Sequence, residues 1–522
     1  MEKRLSQVPP IDTVKLPDAI LRFLAKSSKD SFQRDHLKPT EVTRAFATSY
    51  DHSKGQVRAQ ADRFQNKIRK SNNQVTRMHV SGSAGVGSFT VSAQVTSAMG
   101  GSALLEGDGN LADRHVATIT LTGRADPTAA EVKRARIILL ILQGRIISEG
   151  NSFTPWTHKI FLSPGDDFMW PAEWSQSATR KIRFNPDKNP RPLNDSQQKA
   201  IKCMLDQSDA FRATIIQGPP GTGKTTVIAS YVHTATACGQ TGIWLIAQSN
   251  VAVKNIAEKL ADFGLTNWKL LVSNNFFEFW HEHLYTMIRL NTIIINEEFQ
   301  TRQLHNCPVV LCTLSMLSSS TLQRRGVFDA APIRTVVIDE ASQIEIGDYI
   351  PLFSSFPTIR KVTFIGDNMQ LPPHGQEDIK ELQSIFEVDH LTKGDQVIFL
   401  DTQYRMPPQI GDFISQTVYS SKLQSNDYHP LANSEALLCH FVNVPGAQVQ
   451  QGTSWKNLEE CKAILKLASI FQAQEKNFRI ITPYDAQRTI IEDGLKEAEL
   501  EWGDKCFNVD SFQGNYSIIL DF

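Results

Sequence analysis

The pattern of apolar and polar positions divides the 522-residue chain into stretches of different texture. Residues 1–40 are polar and punctuated by prolines, which predicts a flexible lead-in. From Thr40 to Lys70 a charged stretch carrying Arg58, Arg63, Lys67 and Arg69 reads as a solvated helix face. Between Val75 and Thr122 the period shortens to two. Phe89–Val95 and Val116–Thr122 alternate apolar and polar residues between Gly and Ser turns, predicting a small antiparallel barrel or sandwich. Thr128–Ile147 returns to helical spacing, with Val132, Ile137, Leu140 and Ile141 on its apolar face. Pro171–Pro192 is loop-like and basic. Over 180–191, Arg180, Lys181, Arg183, Lys188 and Arg191 stand against one acid, Asp187, which suits an interdomain connector or a contact to a phosphate backbone.

Beyond Pro192 short apolar runs alternate with helical ones. Ile243–Ala247, Val309–Cys312, Thr335–Asp339 and Lys361–Gly366 read as strands, with Val251–Phe263 helical between the first two. This predicts a parallel sheet covered by helices. Gly264–Asn306 reads as a helical insertion at about 264–306. A second α/β block starts near Gln396. Its expected strands are Gln396–Asp401, Ala436–Val442, Phe478–Ile481, Phe507–Val509 and Ser517–Leu520. Its expected helices are Pro407–Val418, Asn457–Phe471 and Asp485–Leu495. The expected division is therefore 1–40, an accessory region 41–190 with a β-rich module at about 75–122, a first α/β domain 191–385 and a second 386–522.

Composition narrows the class. A net charge of −1 excludes a uniformly basic nucleic-acid coat, though not a local basic channel. The seven cysteines form no Cys-x2-Cys pair, so neither a zinc module nor a disulfide framework is expected. His281 and His283 stand two apart on a supposed helix and face apart, which argues against a metal pair. The run Ile137–Leu142 falls far short of the roughly 20 residues of a membrane span. Met1-Glu-Lys-Arg-Leu-Ser6 has no apolar core of a signal peptide. A soluble intracellular protein without membrane contact is expected, in nucleus or cytoplasm alike, and a monomer.

The chemistry concentrates at Ala213–Thr226. An apolar strand runs into Gly218-Pro219-Pro220-Gly221-Thr222-Gly223, and Lys224-Thr225-Thr226 opens a helix. The glycines let backbone N–H groups close on a phosphate, and the helix N-terminus adds its positive dipole end. Lys224 can reach the β/γ-phosphates and the Thr225 hydroxyl can hold Mg²⁺. About 115 residues on, the buried strand Thr335–Asp339 delivers Asp339 and Glu340. The first suits a metal ligand and the second a polariser of water. These two elements occur equally in ring-forming AAA+ ATPases.

The remaining motifs discriminate. They are Gly366-Asp-Asn-Met-Gln370-Leu-Pro-Pro373, Gln403-Tyr404-Arg405-Met-Pro407, Thr482-Pro-Tyr484-Asp-Ala-Gln487 and Val509-Asp-Ser-Phe-Gln513-Gly514. In this order they resemble the superfamily 1 helicases, in the branch of the nonsense-mediated-decay RNA helicase and senataxin-like proteins, over about 190–522. The resemblance implies two RecA-like P-loop domains in tandem, ATP and Mg²⁺ as cofactors, and single-stranded RNA or DNA as partner. It implies that Gln197, in Leu193-Asn-Asp-Ser-Gln197, reads adenine and Tyr404 packs on it. Gln370 then contacts the γ-phosphate and water, and Arg405 meets the transition-state charge. Ser249 and Asn250, after Gln248, and Thr313 match strand contacts of the first domain; Thr482 and Tyr484 match those of the second. The accessory region is expected to be a helical stalk around the β-rich module.

The sequence also departs from that family. The nucleotide-contacting glutamate and acidic spacer after Gly514 are missing, and no Thr-Arg-Ala-Arg-like motif follows before Phe522. Such contacts are each worth roughly 3–4 kcal/mol in catalysis. The expectation is that the chain binds ATP·Mg²⁺ but hydrolyses it slowly and unwinds poorly, as a nucleotide-dependent clamp or a shortened helicase.

Overall fold

The computed structural model describes residues 17–512 apart from 45, 52–54, 62–66, 82–87, 108–115, 144–154, 163–167, 177–181, 279–280, 394–396, 434–439, 452–453 and 504. Contacts divide the chain into two units. One comprises 1–219 with 223–400, the other 220–222 with 401–522.

The first unit opens on helix α1 (Asp18–Leu37), which corrects the expected flexible lead-in over its described part. Ile20 and Leu24, one turn apart, are buried together with Ser27 and Asp30. Strands β1 (Glu41–Arg44), β2 (Ala47–Asp51) and β3 (Gln56–Gln60) follow where a charged helix was expected. In β3 Val57 and Ala59 point inward while Arg58 points out, an alternation that the charged residues had masked. With β4 (Val75–Val80), β5 (Phe89–Met99), β6 (Ser102–Gly107) and β7 (Val116–Thr122) they form one antiparallel seven-stranded sheet, order β1-β7-β4-β5-β6-β3-β2. Its core gathers Val57, Met78, Leu105 and Ile119. The β-rich module thus starts near 41 rather than 75. Helix α2 (Ala129–Leu142) closes the accessory region, capped by a reciprocal Thr128–Glu131 box. Its inward face is Ile137, Ile138, Ile141 and Arg134, while Val132 is exposed, contrary to expectation.

Helix α3 (Asp195–Leu205) leads into an eight-stranded sheet covered by helices. Its strands are β8 (Ala213–Gln217), β9 (Ile243–Ala247), β10 (Trp268–Ser273), β11 (Thr292–Ile295), β12 (Val309–Thr313), β13 (Thr335–Asp339), β14 (Lys361–Gly366) and β15 (Val397–Phe399). The order is β11-β10-β12-β9-β13-β14-β8-β15, all parallel. Helix α4 (Lys224–Ala237) follows β8 and α5 (Asn250–Asp262) follows β9. The central strands are buried on both faces, one against Trp244, Ile246 and Val336, the other against Leu245, Val337 and Tyr231.

Two expectations fail here. The stretch 264–306 is no helical insertion: it supplies β10 and β11 to the sheet edge, joined by a 3-10 segment over Glu282–Asn291. Short apolar runs such as Leu270-Leu-Val272 do not distinguish strand from buried helix by period alone. Residues 397–399 do not open the second block either. β15 pairs with β8, with Ile398 opposite Ile216, so the change of unit falls at Leu400/Asp401 rather than 385/386.

The second unit contains β16 (Thr402–Gln403), α6 (Pro408–Val418), β17 (Gln424–Ser425), β18 (Gln448–Gln451), β19 (Ser454–Asn457), α7 (Leu458–Ala473), β20 (Ile480–Thr482), α8 (Asp485–Glu497) and β21 (Cys506–Asn508). The parallel pair β20–β21 packs on α7 and α8 around Phe478, Ile480, Ile491 and Leu495. Of the strand expected at 436–442, the described part has no regular structure and Phe441 is 99% exposed. The strand expected at 517–520, like Gln513 and Gly514, lies outside the described residues. No helix among the described residues is long and apolar enough to cross a membrane.

Candidate nucleotide site and strand-facing edge

In a parallel sheet every strand delivers its last residues to the same edge, where ligands of such folds bind. Here β8 ends at Gln217, β13 at Asp339 and β14 at Gly366, three consecutive neighbours apart from the sheet's far side. The loop after β8 begins with the Gly218 N–H donating to the Gly366 carbonyl at 2.9 Å. Gly221 and Gly223 have φ of +78° and +83°. Gly223 also caps α4 in the left-handed conformation. A methyl group on Gly223 would lie 2.7 Å from the Gln197 side-chain nitrogen, and one on Gly218 would lie 2.6 Å from the Lys224 side chain. The loop is a cradle that only glycine leaves open at these positions.

Lys224 opens α4 and its Nζ donates to the Gly218 carbonyl at 2.9 Å, so the ammonium lies across the loop. Thr222 and Thr225 are buried and Thr226 is half-buried. Gln197 is buried in the first turn of α3, where it forms a reciprocal box with Asn194. Its N–H donates to Asn194 Oδ1 at 2.8 Å, and its Oε1 accepts from the Asn194 N–H at 3.1 Å. The Asn194-x-x-Gln197 spacing was readable in the sequence as a capping box. That box orients Gln197 beside Gly223.

Asp339 is buried at the end of β13, and its Oδ1 accepts the Glu340 N–H at 3.0 Å. Burial and the adjacent Glu340 carboxylate push the Asp339 carboxyl well above the ordinary carboxylate range, and the Lys224 charge pulls it back only in part. The Asp339 carboxylate lies within reach of the Lys224 charge, at the same end of the sheet as the loop that carries Thr225, and carboxylate and hydroxyl oxygens are the donor types a hard divalent cation takes. Glu340 has φ +51°, a left-handed conformation unusual for a side-chain-bearing residue. Gln370 donates from Nε2 to Asp367 Oδ2 at 2.7 Å, and Asp367 is fully buried. Gln217, unremarked in the sequence, donates to Asn368 Oδ1 at 2.7 Å and ties the start of the loop to the same turn.

The residues expected to meet a strand sit farther along the same edge, after β9 and β12. Ser249 is exposed and its Oγ accepts the Ala252 N–H at 3.1 Å, capping α5. Asn250 is half-buried. Thr313 is buried, 3.1 Å from the Ser315 hydroxyl. The edge is thereby divided: β8, β14 and β13 bring the phosphate-type residues, β9 and β12 the others.

In the second unit Tyr404 and Arg405 are exposed on a turn stapled by Gln403. That buried side chain accepts the N–H groups of Arg405 and Met406 at 3.0 and 2.7 Å and donates to the Met406 carbonyl at 2.9 Å. Thr482 ends β20 and is buried, and Tyr484, just before α8, is 43% exposed. His281 stacks on Phe276 and hydrogen-bonds its carbonyl, and no metal-type cluster occurs among the described residues.

Two family models, each described as an AAA domain, match the chain in succession, one over 192–274 and 283–375, the other over 382–520. The putative ATP-dependent RNA helicase ECM32 of Saccharomyces cerevisiae is 27% identical over 364 residues, 60% of this chain and 31% of that protein. Regulator of nonsense transcripts 1 of Caenorhabditis elegans is 28% identical over 374 residues, 62% of this chain and 34% of that protein. The chain belongs to the superfamily 1 helicases, in the branch of the nonsense-mediated-decay and senataxin-like proteins. The DNA replication ATP-dependent helicase/nuclease DNA2 of Homo sapiens is 28% identical over 349 residues, 58% of this chain and 31% of that protein. This superfamily 1 chain thus spans about a third of the length of these curated relatives. Use of ATP and the tandem RecA-like fold come with the family.

Proposed function

We propose that this chain is an ATP-dependent helicase or translocase acting on single-stranded RNA or DNA, hydrolysing ATP to ADP and phosphate. The carrying observation is the convergence of the glycine cradle, Lys224, Asp339–Glu340 and Asp367–Gln370 on one end of one sheet. The backbone of Gly218–Thr226 and the Lys224 ammonium would bind the triphosphate, Lys224 exchanging its carbonyl acceptor for phosphate oxygens. Thr225 and Asp339 would hold Mg²⁺, which when bound neutralises phosphate charge. Glu340 would orient the attacking water and take its proton, with Gln370 holding that water in line. Gln197 and Tyr404 would hold adenine. Arg405 would meet the charge developing on the phosphoryl group, an effect of about 10³–10⁵ for arginine fingers elsewhere. Ser249, Asn250, Thr313, Thr482 and Tyr484 would contact the strand. The family's ATP-dependent helicases, RNA and DNA types alike, support the reading.

The test is ATP turnover by the purified chain, with and without single-stranded RNA and DNA oligonucleotides, beside Lys224→Ala. Mg²⁺-dependent turnover raised by a single strand and abolished in Lys224→Ala is expected. Nucleotide binding without strand-stimulated turnover would overturn the reading in favour of a clamp.

A further inference from the structure

The turn that presents Glu340 is gripped from outside the ATPase sheet. Glu345, five residues on, is 1% exposed, and its Oε2 accepts from Arg134 Nη1 of α2 at 2.5 Å. The same nitrogen donates to Asp348 Oδ1 at 2.8 Å, and Arg34 of α1 donates to both Asp348 oxygens at 3.0–3.1 Å. Arg134 also donates through Nε and Nη2 to the Ser27 hydroxyl of α1, at 3.2 and 2.8 Å, and to the Ser27 carbonyl at 2.9 Å. Gly347 lies so close that any side chain there would collide with the Arg134 guanidinium. From the other side the Ile346 N–H donates to the Gln383 carbonyl at 2.9 Å.

A buried ionic network of this kind is weak support for stability, because desolvation offsets the attraction, but it fixes geometry well. What it fixes here is the far end of a turn whose near end holds Glu340 at φ +51°. Unlike the exposed Glu475 and Glu499, whose left-handed backbones follow the ends of α7 and α8, Glu340 takes this conformation directly after a buried strand, where its surroundings must hold it. The clamping helices are the two that bracket the β-module in the chain: three residues separate α1 from β1, and six separate β7 from α2.

We infer that Arg134 is a positioning residue for ATP hydrolysis, holding the 340–348 turn through Glu345 and Asp348, so that turnover depends on how the helices carrying the β-module are seated. The inference rests on the proposed function, since it takes Glu340 as the residue that orients water. An effect transmitted through a turn lowers kcat and leaves nucleotide affinity alone. A merely structural role lowers the folded fraction and leaves kcat per nucleotide-binding molecule unchanged.

The experiment compares the full chain with Arg134→Met, Arg134→Lys and Ser27→Ala. Readouts are strand-stimulated kcat per nucleotide-binding molecule, KM for ATP, and affinity for a fluorescent ATP analogue. Expected are a loss in kcat of about tenfold or more for Arg134→Met, partial recovery in Arg134→Lys, and a fall of about threefold in Ser27→Ala, with KM and affinity within about twofold throughout. A kcat per binding-competent molecule equal to wild type in Arg134→Met overturns the inference alone. Where Arg134→Met does not fold, an unchanged kcat in Ser27→Ala overturns it. Absence of turnover in the wild-type chain overturns the proposed function and this inference with it.

Discussion

At Gly223 the proposed phosphate cradle depends on a missing atom. Its φ of +83° costs a side-chain-bearing residue about 1–2 kcal/mol, and a methyl there would also press on Gln197. Gly223→Ala should weaken ATP-analogue binding at least about tenfold, read by fluorescence titration. Gly239→Ala, at φ +82° with open space around it, should leave that affinity unchanged. Lys361 shows a different use of a single residue. Its Nζ donates to the carbonyls of Cys203, Asp206 and Phe211 at 3.0, 2.7 and 2.5 Å, one acceptor per N–H. Burial pulls the ammonium down to about 7, while three carbonyl partners suit the charged form. Lys361→Met leaves three carbonyls without this donor and should destabilise the first unit by about 3 kcal/mol or more, measured by urea unfolding. The contrast also explains legibility. Lys224, Asp339 and Gln370 could be proposed from the sequence because the chemistry expected of them demands a local motif. Lys361 and Arg134 could not, because their partners lie 150 or more and 107 or more residues away in sequence.

Helices and strands were legible where period and punctuation agreed. The helices expected at 407–418, 457–471 and 485–495 correspond to α6, α7 and α8 within a few residues. The failures share one cause. In β1–β3 and at 268–295 the strands are only four to six residues long, too short for period two to emerge against charged neighbours. In α1 buried Ser27 and Asp30 replaced the apolar stripe a sequence reader looks for. The start of α2 allows a pH test. Burial works to raise the Glu131 carboxyl, but bonds from the Thr128 N–H at 2.7 Å and from Lys38 hold it below its ordinary value. A carboxyl lowered in the folded state contributes stability above its unfolded value, and that contribution is lost as pH falls through the folded one. Glu131→Gln should therefore cost about 0.5–1 kcal/mol at pH 7. The gap to wild type should close as pH falls below about 4, followed by urea midpoints across that range.

At the scale of the molecule the two units differ in how much they bury. The first holds two large clusters on either face of its sheet; the described core of the second is one small cluster around α7 and α8. Urea should unfold them in two steps, the second unit first. The tryptophans report the order: Trp156, Trp170, Trp174, Trp244 and Trp268 are buried in the first unit, whereas Trp455 and Trp502 of the second are 37% and 48% exposed. Far-UV circular dichroism should fall in the first step with little change in emission, and the red shift should accompany the second. A single coincident transition by both probes would contradict this. The unit boundary itself was not legible, because β15 reads as any other strand and only its pairing with β8 assigns it. The β-module, in turn, joins the rest through a narrow stem. Glu41 of β1 stands opposite Thr122 of β7, and the Gly123 N–H donates to the Thr40 carbonyl at 2.7 Å. Chain entry and chain exit are thus neighbours, as at the mouth of a pouch. A gene encoding such a protein can lengthen, exchange or delete the whole pouch between Thr40 and Gly123 and still rejoin α1 to α2. The lineage can therefore change what the module touches without rebuilding the engine that carries it.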